Sequence, residues 1–358
     1  MQNKNNPMER MFLRNARQQR VPISGTFELT PRCTLDCKMC YIRLTKEEMG
    51  DRKELSTEKW LEIIDEVVAM GTTSVQLTGG ECLLHEGFKA IYEKLRDLGV
   101  FVSINTNATL LNDEYIDYFK QNPPARIQFS LYGSNDDVYE RVTGVRIFDK
   151  VSRNILKAKE AGLNIKVNVT VSRYLYDDTI NILKFLMDHH IAYLIDMNMV
   201  PANEDTNKCL EDYALTTKEI VAKYKEIVEL KNLPIYENDK ETELPVWDES
   251  ADEQRGYQCA AGRSRYLIKW DGTVEPCFCE TKGAPNLLYT DFKSAWERIV
   301  KDADEYLLPI ECDSCKYRPL CIACPYSRND PEHPGHCNRS VCETTIAKYN
   351  AGLSKLPR

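Results

Sequence analysis

Three cysteines close together, Cys33, Cys37 and Cys40, are the residues in the chain whose type and spacing most clearly point to chemistry. Separated by three and then two residues, they offer three thiolates from one short loop. A four-iron cluster usually takes four cysteine ligands, so three local thiolates leave one iron open. An open coordination position is what a metal needs in order to bind a substrate or a cofactor. The alternative is a partial zinc site, but zinc ribbons pair two Cys-x2-Cys knuckles and no second knuckle follows within normal reach. A second group, Cys259, Cys277, Cys279, Cys312, Cys315, Cys321, Cys324, Cys337 and Cys342, lies near the end of the chain. Its Cys-x2-Cys pairs suit zinc and iron–sulfur clusters equally well. With 14 cysteines against 5 histidines, any large metal inventory is bound mainly through sulfur. Cysteine makes up ~4% of residues, well short of the ~8–10% of secreted disulfide scaffolds.

The elements that position these residues belong to a 358-residue chain, 42% hydrophobic and 28% charged, with a net charge of -8. No apolar run approaches the ~18 residues of a membrane span. The first twenty residues lack the apolar core and cleavage site of a secretory signal, so a cytoplasmic location is expected, where thiols stay reduced. The negative charge disfavours passive attraction to nucleic acid or anionic lipid.

Between residues 25 and 200, short β-rich runs alternate with longer amphipathic stretches, which predicts repeated βα units and a parallel sheet. The strands are expected at 25–30, 74–78, 100–105, 125–131, 164–171 and 192–200. In the first helical pattern, Trp60, Ile63, Ile64, Val67 and Val68 recur at helical spacing before Gly71. Six units are too few for an eight-stranded barrel and enough for an open one. A further helix at 216–232 completes the set. The fold class is therefore α/β, a partial (β/α)6 TIM-type barrel followed by a small cysteine-rich domain. Residues 1–24 form an N-terminal extension, 25–232 the barrel, 233–256 an acidic linker or lid, and 257–358 a segment without βα rhythm folded around metal.

On Cys33-x3-Cys37-x2-Cys40 after the first strand, and on Thr78-Gly79-Gly80-Glu81 after the second, the chain resembles the radical S-adenosylmethionine (SAM) enzymes. That resemblance implies that the triad binds a catalytic [4Fe-4S] cluster. It implies that Gly79, Gly80 and Glu81 hold the methionyl amino group of SAM through backbone and carboxylate. Met39, where the family prefers an aromatic, can pack on the adenine through its thioether. Cys82, where proline is common, could donate a hydrogen atom to a radical or fill a small buried site. Strand-end residues on the face where barrel sites are built add Asn105, Asn107, Ser130, Arg141 and Asn168. By resemblance Ser130 contacts the ribose and Arg141 the carboxylate or ribose, although strand-end Asn and Ser also commonly satisfy loop backbone. Glu28, on the first strand, can face the barrel interior in a structural or a functional role.

The C-terminal cysteines resemble the SPASM domain, which carries two auxiliary [4Fe-4S] clusters. The resemblance assigns Cys259, Cys277 and Cys324 to the first, with Cys279 as candidate fourth ligand, and Cys312, Cys315, Cys321 and Cys342 to the second. Cys337 competes with Cys279 and Cys342. The spacing of two between Cys321 and Cys324 departs from the family's three, and a zinc ribbon is the alternative. SPASM enzymes act mostly on peptides or proteins, so the implied activity is oxidative modification of a peptide or protein through a 5′-deoxyadenosyl radical, as in maturation of ribosomal peptides by crosslink or thioether. The alternatives are dehydrogenation of a small molecule such as an aminocyclitol, and formylglycine formation. The last is disfavoured because Phe278 stands where sulfatase maturases usually carry aspartate. Expected partners are the peptide substrate and an external electron donor such as flavodoxin or ferredoxin. Only 32 residues precede Cys33, so the leader of a ribosomal substrate is expected to dock on another surface or on a separate leader-peptide-binding protein.

Overall fold

The computed structural model describes residues 7–199, 209–236, 259–278, 283–306, 308–309, 315–321, 324, 327 and 336–355. Residues 237–256 of the expected 233–256 linker and the ligand candidates Cys279 and Cys312 lie outside the described residues.

All six expected strands form: β1 (Ser24–Glu28), β2 (Ser74–Thr78), β3 (Phe101–Thr106), β4 (Arg126–Ser130), β5 (Ile165–Thr170) and β6 (Tyr193–Asp196). They pair in chain order and in parallel. Helix α1 (Pro7–Gln18) precedes β1, and α2 (Lys46–Met49) and α3 (Thr57–Ala69) join β1 to β2. Then α4 (Phe88–Asp97), α5 (Asp113–Gln121), the pair α6 (Asp136–Thr143) and α7 (Phe148–Glu160), and α8 (Thr179–Asp188) complete the crossovers. The helices start where the sequence offers side-chain caps. Ser56 accepts from the Lys59 N–H at the head of α3, and Asn112 and Asn135 cap α5 and α6. The apolar stripe of α3 buries Trp60, Ile63, Ile64 and Val67, and Trp60 stacks on Phe27 of β1 with ring centroids 5.1 Å apart.

Parallel strands covered by helices on both faces read as continuous apolar runs, whereas here each strand alternates. Val75 and Leu77, Val102 and Ile104, Ile127 and Phe129, and Val167 and Val169 are buried. The intervening Gln76, Ser103, Asn105, Gln128, Ser130, Lys166 and Asn168 are only partly buried. Because successive side chains point to opposite faces, Phe27 against α3 puts Glu28 on the other face, together with this polar set. The inner wall of the open barrel is thus polar.

Two strands lie beyond the expected rhythm. β7 (Arg265–Ile268) pairs in parallel with β1, and β8 (Val274–Glu275) pairs antiparallel with β7, giving the order β6-β5-β4-β3-β2-β1-β7-β8. Four residues are too few for a period to stand out, and β7 is fixed by tertiary contacts instead. Tyr266 lies 4.7 Å from the Phe292 ring and shares a 2.9 Å hydrogen bond with the Thr72 hydroxyl.

The chain divides into two compact units, one of Met1–Tyr213 with Ala260–Lys301, the other of Ala214–Cys259 with Asp302–Arg358. The first holds the barrel, β7, β8, the short α9 (Leu210–Tyr213) and most of α11 (Phe292–Glu305). The second holds α10 (Thr217–Leu230), the helix expected to complete the barrel, and α12 (Arg339–Asn350). Among the described residues no helix is long and apolar enough to cross a membrane.

Candidate functional site

The loop after β1 carries the three cysteines and is held from two sides. The Gly80 and Glu81 N–H groups donate to the Thr30 and Arg32 carbonyls at 2.7 and 2.8 Å, joining the loop after β2 to it. On the other side the Asp36 and Lys38 N–H groups donate to the Thr143 and Val142 carbonyls at the end of α6. This explains the two glycines. Gly79 has φ +141°, and a Cβ there would meet the Thr30 carbonyl oxygen at 2.5 Å. A Cβ at Gly80 would run into the Arg32 carbonyl oxygen. The glycines serve a close approach between two loops, so the cysteine loop can lie directly on the end of β2.

The sulfurs are reached by N–H donors. Cys33 Sγ accepts from the Leu35 backbone and from Asn107 Nδ2, both at 3.4 Å, and Cys40 Sγ accepts from the Arg43 N–H at 3.3 Å. Cys37 is buried. Burial pushes the Cys33 thiol up to about 11 while the Leu35 and Asn107 donors pull it down. A positive metal centre offsets that desolvation and holds the sulfur as thiolate. Among the described residues no three His, Cys, Asp or Glu side chains are placed to hold a single metal ion. A cluster does not demand that convergence, since each thiolate takes a different iron. Three sulfurs on one loop, two of them supplied with donors, fit a cluster.

Asn107 was grouped with Asn105 from sequence, and the structure separates them. Asn107 holds Cys33 and the Thr34 hydroxyl, whereas Asn105 faces the lumen and accepts from Gln128 Nε2 at 2.8 Å. Glu81 is fully buried and accepts from the Thr106 hydroxyl, the Asn107 N–H at 2.8 Å and the Leu83 N–H at 3.2 Å. Burial raises its pKa against these donors, all of them neutral. A ligand ammonium would supply the missing positive charge. Cys82 is buried with its thiol donating to the Asn105 carbonyl at 3.2 Å, the small-core role. Met39 is buried, Ser130 lies at the end of β4 bonded to Tyr132, and Arg141 is exposed on α6.

The lumen wall carries two buried oxygen atoms that find no partner among the described residues, Glu28 Oε2 on β1 and Asn168 Oδ1 on β5. Such atoms are costly unless a ligand or water pairs with them. Burial pushes the Glu28 carboxyl up to about 8, with Lys269 opposing and Glu275 and Asp271 assisting. Tyr41, next to Cys40, donates to it, and Lys269 pairs with Glu275 at 3.0 Å. Glu28 is therefore a neutral carboxylic acid at neutral pH, able to donate as well as accept. Tyr41 also packs on Phe278 with centroids 6.0 Å apart. Tyr132, Tyr41, Lys269 and Glu275 were not singled out from sequence. Isolated aromatic and charged residues carry no spacing signal: Tyr41 follows Cys40 in the chain, and only the fold brings the other three near it.

The sequence signature of the radical SAM superfamily matches residues 27–186. Residues 27–186 thus carry a radical SAM domain. The AdoMet-dependent heme synthase of Methanosarcina barkeri is 25% identical over 83% of this chain and 89% of that protein. The sporulation killing factor maturation protein SkfB of Bacillus subtilis is 29% identical over 46% of this chain, which spans only 39% of that protein. Streptococcus suis SuiB bound to precursor peptide SuiA superposes with a TM-score of 0.63 at 17% identity, over 89% of this chain and 77% of that one. The likeness to SuiB is one of fold.

Proposed function

We propose that this chain is a radical SAM enzyme that oxidatively modifies a peptide or protein, in the manner of ribosomal peptide maturation. The observation that carries this reading is the polar lumen beside the cysteine loop, with Glu28 and Asn168 oxygens on its wall that find no partner among the described residues. Hydrogen-bonding side chains suit amides, whereas a large apolar ring system calls for apolar walls. The maturase SkfB among the relatives and the precursor peptide in SuiB support the same substrate class. A small-molecule substrate is the second reading, favoured by the likeness to a heme synthase over most of both chains.

Cys33, Cys37 and Cys40 hold the catalytic cluster in this proposal. Met39, Gly79, Gly80, Glu81, Asn105, Ser130, Arg141 and Asn168 surround SAM. When bound and reduced by a flavodoxin or ferredoxin, cluster and SAM supply a 5′-deoxyadenosyl radical that takes a hydrogen atom from the substrate. The chain's residues do the rest: Asn107 orients Cys33, Glu81 faces the ligand ammonium, Asn168 faces SAM, and Glu28 bonds the substrate while the lumen limits water. The C-terminal cysteines would hold two auxiliary clusters, which would supply an acceptor for the second electron of an oxidative reaction. A reducing, cytoplasmic setting suits this inventory.

The test is anaerobic incubation with SAM, reductant and candidate peptides, read by mass spectrometry. Loss of two hydrogen atoms from a peptide supports the reading. Turnover of a small molecule with every peptide unchanged overturns it in favour of the second.

A further inference from the structure

The inner wall of the open barrel carries two cations with no assigned role. Arg126 opens β4, and Lys166 is the second residue of β5. Side chains alternate along a strand, so Arg126 shares the lumen face with Gln128, whose amide bonds Asn105 there, while Ile127 and Val167 are buried on the opposite face. Lys166 is in register with Gln128 and stands beside it on the lumen face. Both cations are partly buried. Burial pushes the Lys166 ammonium below its ordinary value, and the Arg126 charge pushes it the same way. No carboxylate opposes that push, and among the described residues neither side chain has a hydrogen-bonding or ion-pairing partner. The acid on the next strand, Asp196, stands beside Thr170 and accepts from the Asn198 N–H. Four residues separate Thr170 from Lys166, or about 13 Å along the strand.

Two like charges held near each other in a partly dried wall are unfavourable on their own. Elsewhere the same wall supplies an acid to its cation, since Lys269 pairs with Glu275 at 3.0 Å. It supplies none to Arg126 and Lys166, although the chain as a whole has a net charge of -8. We infer that Arg126 and Lys166 form an anion site in the lumen that takes a carboxylate of the substrate, namely an acidic side chain of the peptide. The Arg126 fork can bind both oxygens of a carboxylate, and the Lys166 ammonium adds a point charge with donors of its own. Lys166 precedes Asn168 by two residues, so the site lies about 7 Å deeper along β5 than the residue proposed to face SAM. A peptide anchored there by its carboxylate presents its neighbouring residues to the cofactor. This inference rests on the peptide reading, and the experiment separates the two.

The full chain, reconstituted anaerobically and saturated with SAM, is titrated in a calorimeter with acetyl-Ala-Ala-Glu-Ala-Ala-amide, with its Gln counterpart, with that Gln peptide bearing a free C-terminal carboxylate, and with glutarate. The Glu peptide is expected to bind about tenfold or more tightly than the Gln peptide. That preference should fall in Lys166→Gln and in Arg126→Gln, vanish in the double variant and return in Lys166→Arg. The ratio is taken within each variant, so a barrel that is merely loosened does not imitate the result. The same preference for the free C-terminal carboxylate, lost in the same variants, supports the site with a chain terminus as its ligand. Equal affinity for the Glu and Gln peptides, or a preference that survives in the double variant, overturns the site and leaves the peptide reading standing. Glutarate binding that is lost in the double variant, with no peptide bound, keeps the cation pair and overturns the peptide reading beneath it. Failure of every carboxylate probe to bind at millimolar concentration overturns the site.

Discussion

Residues around the cysteine loop are set to hold charge in a dry place, and their titration can be measured. In the unfolded chain Glu28 releases its proton near 4.5 and in the folded protein near 8. Between those values the native state holds the extra proton, so Glu28 lowers stability progressively as pH rises through the window and no further above it. Glu28→Gln, which keeps a neutral side chain, should flatten the fall in denaturant midpoint between pH 5 and about 8. An unchanged slope would mean that Glu28 is ionised in the native state. Asn107 acts on the cluster by donating to Cys33 sulfur. Removing that bond in Asn107→Ala destabilises the more negative, reduced state, so the catalytic cluster's potential should move to more negative values in a redox titration. A potential equal to wild type would show that the contact does not reach the cluster.

At the scale of elements, the meeting of two loops decides whether the triad is formed. Gly80→Ala puts a methyl group into the Arg32 carbonyl and should cost ~1–3 kcal/mol as overpacking, seen as a lower denaturation midpoint. Because the displaced backbone leads into Cys33, the variant should also retain less iron in the barrel. Loss of SAM affinity with iron and stability intact would return Gly80 to direct cofactor contact. The helices and strands of the barrel were legible because Trp60, Ile63, Ile64 and Val67, or Val75 and Leu77, repeat over several residues with caps at their ends. The triad and the Gly-Gly-Glu turn were legible because adjacent residues in the chain form them. β7 was not, since four residues carry no period and Tyr266 is placed by Thr72 and Phe292, far away in sequence. Glu28, Tyr41 and Lys269 were not legible as a group for the same reason. The strands that bring them together are neighbours only after β7 joins β1.

For the whole molecule, the two compact units carry different metals' worth of cysteine. The barrel unit holds the triad, and four cysteines surround one cavity in the other. An enzyme with one auxiliary cluster would bind about eight irons, and one with two about twelve. The iron count therefore bears on whether the reaction is oxidative. The central claim, that Cys33, Cys37 and Cys40 hold the cluster that cleaves SAM, is tested most directly by measuring 5′-deoxyadenosine. Anaerobic wild-type protein with SAM and reductant should form it, and the variant with all three cysteines changed to alanine should form none while keeping its C-terminal clusters. Undiminished 5′-deoxyadenosine from the triple variant would contradict the account.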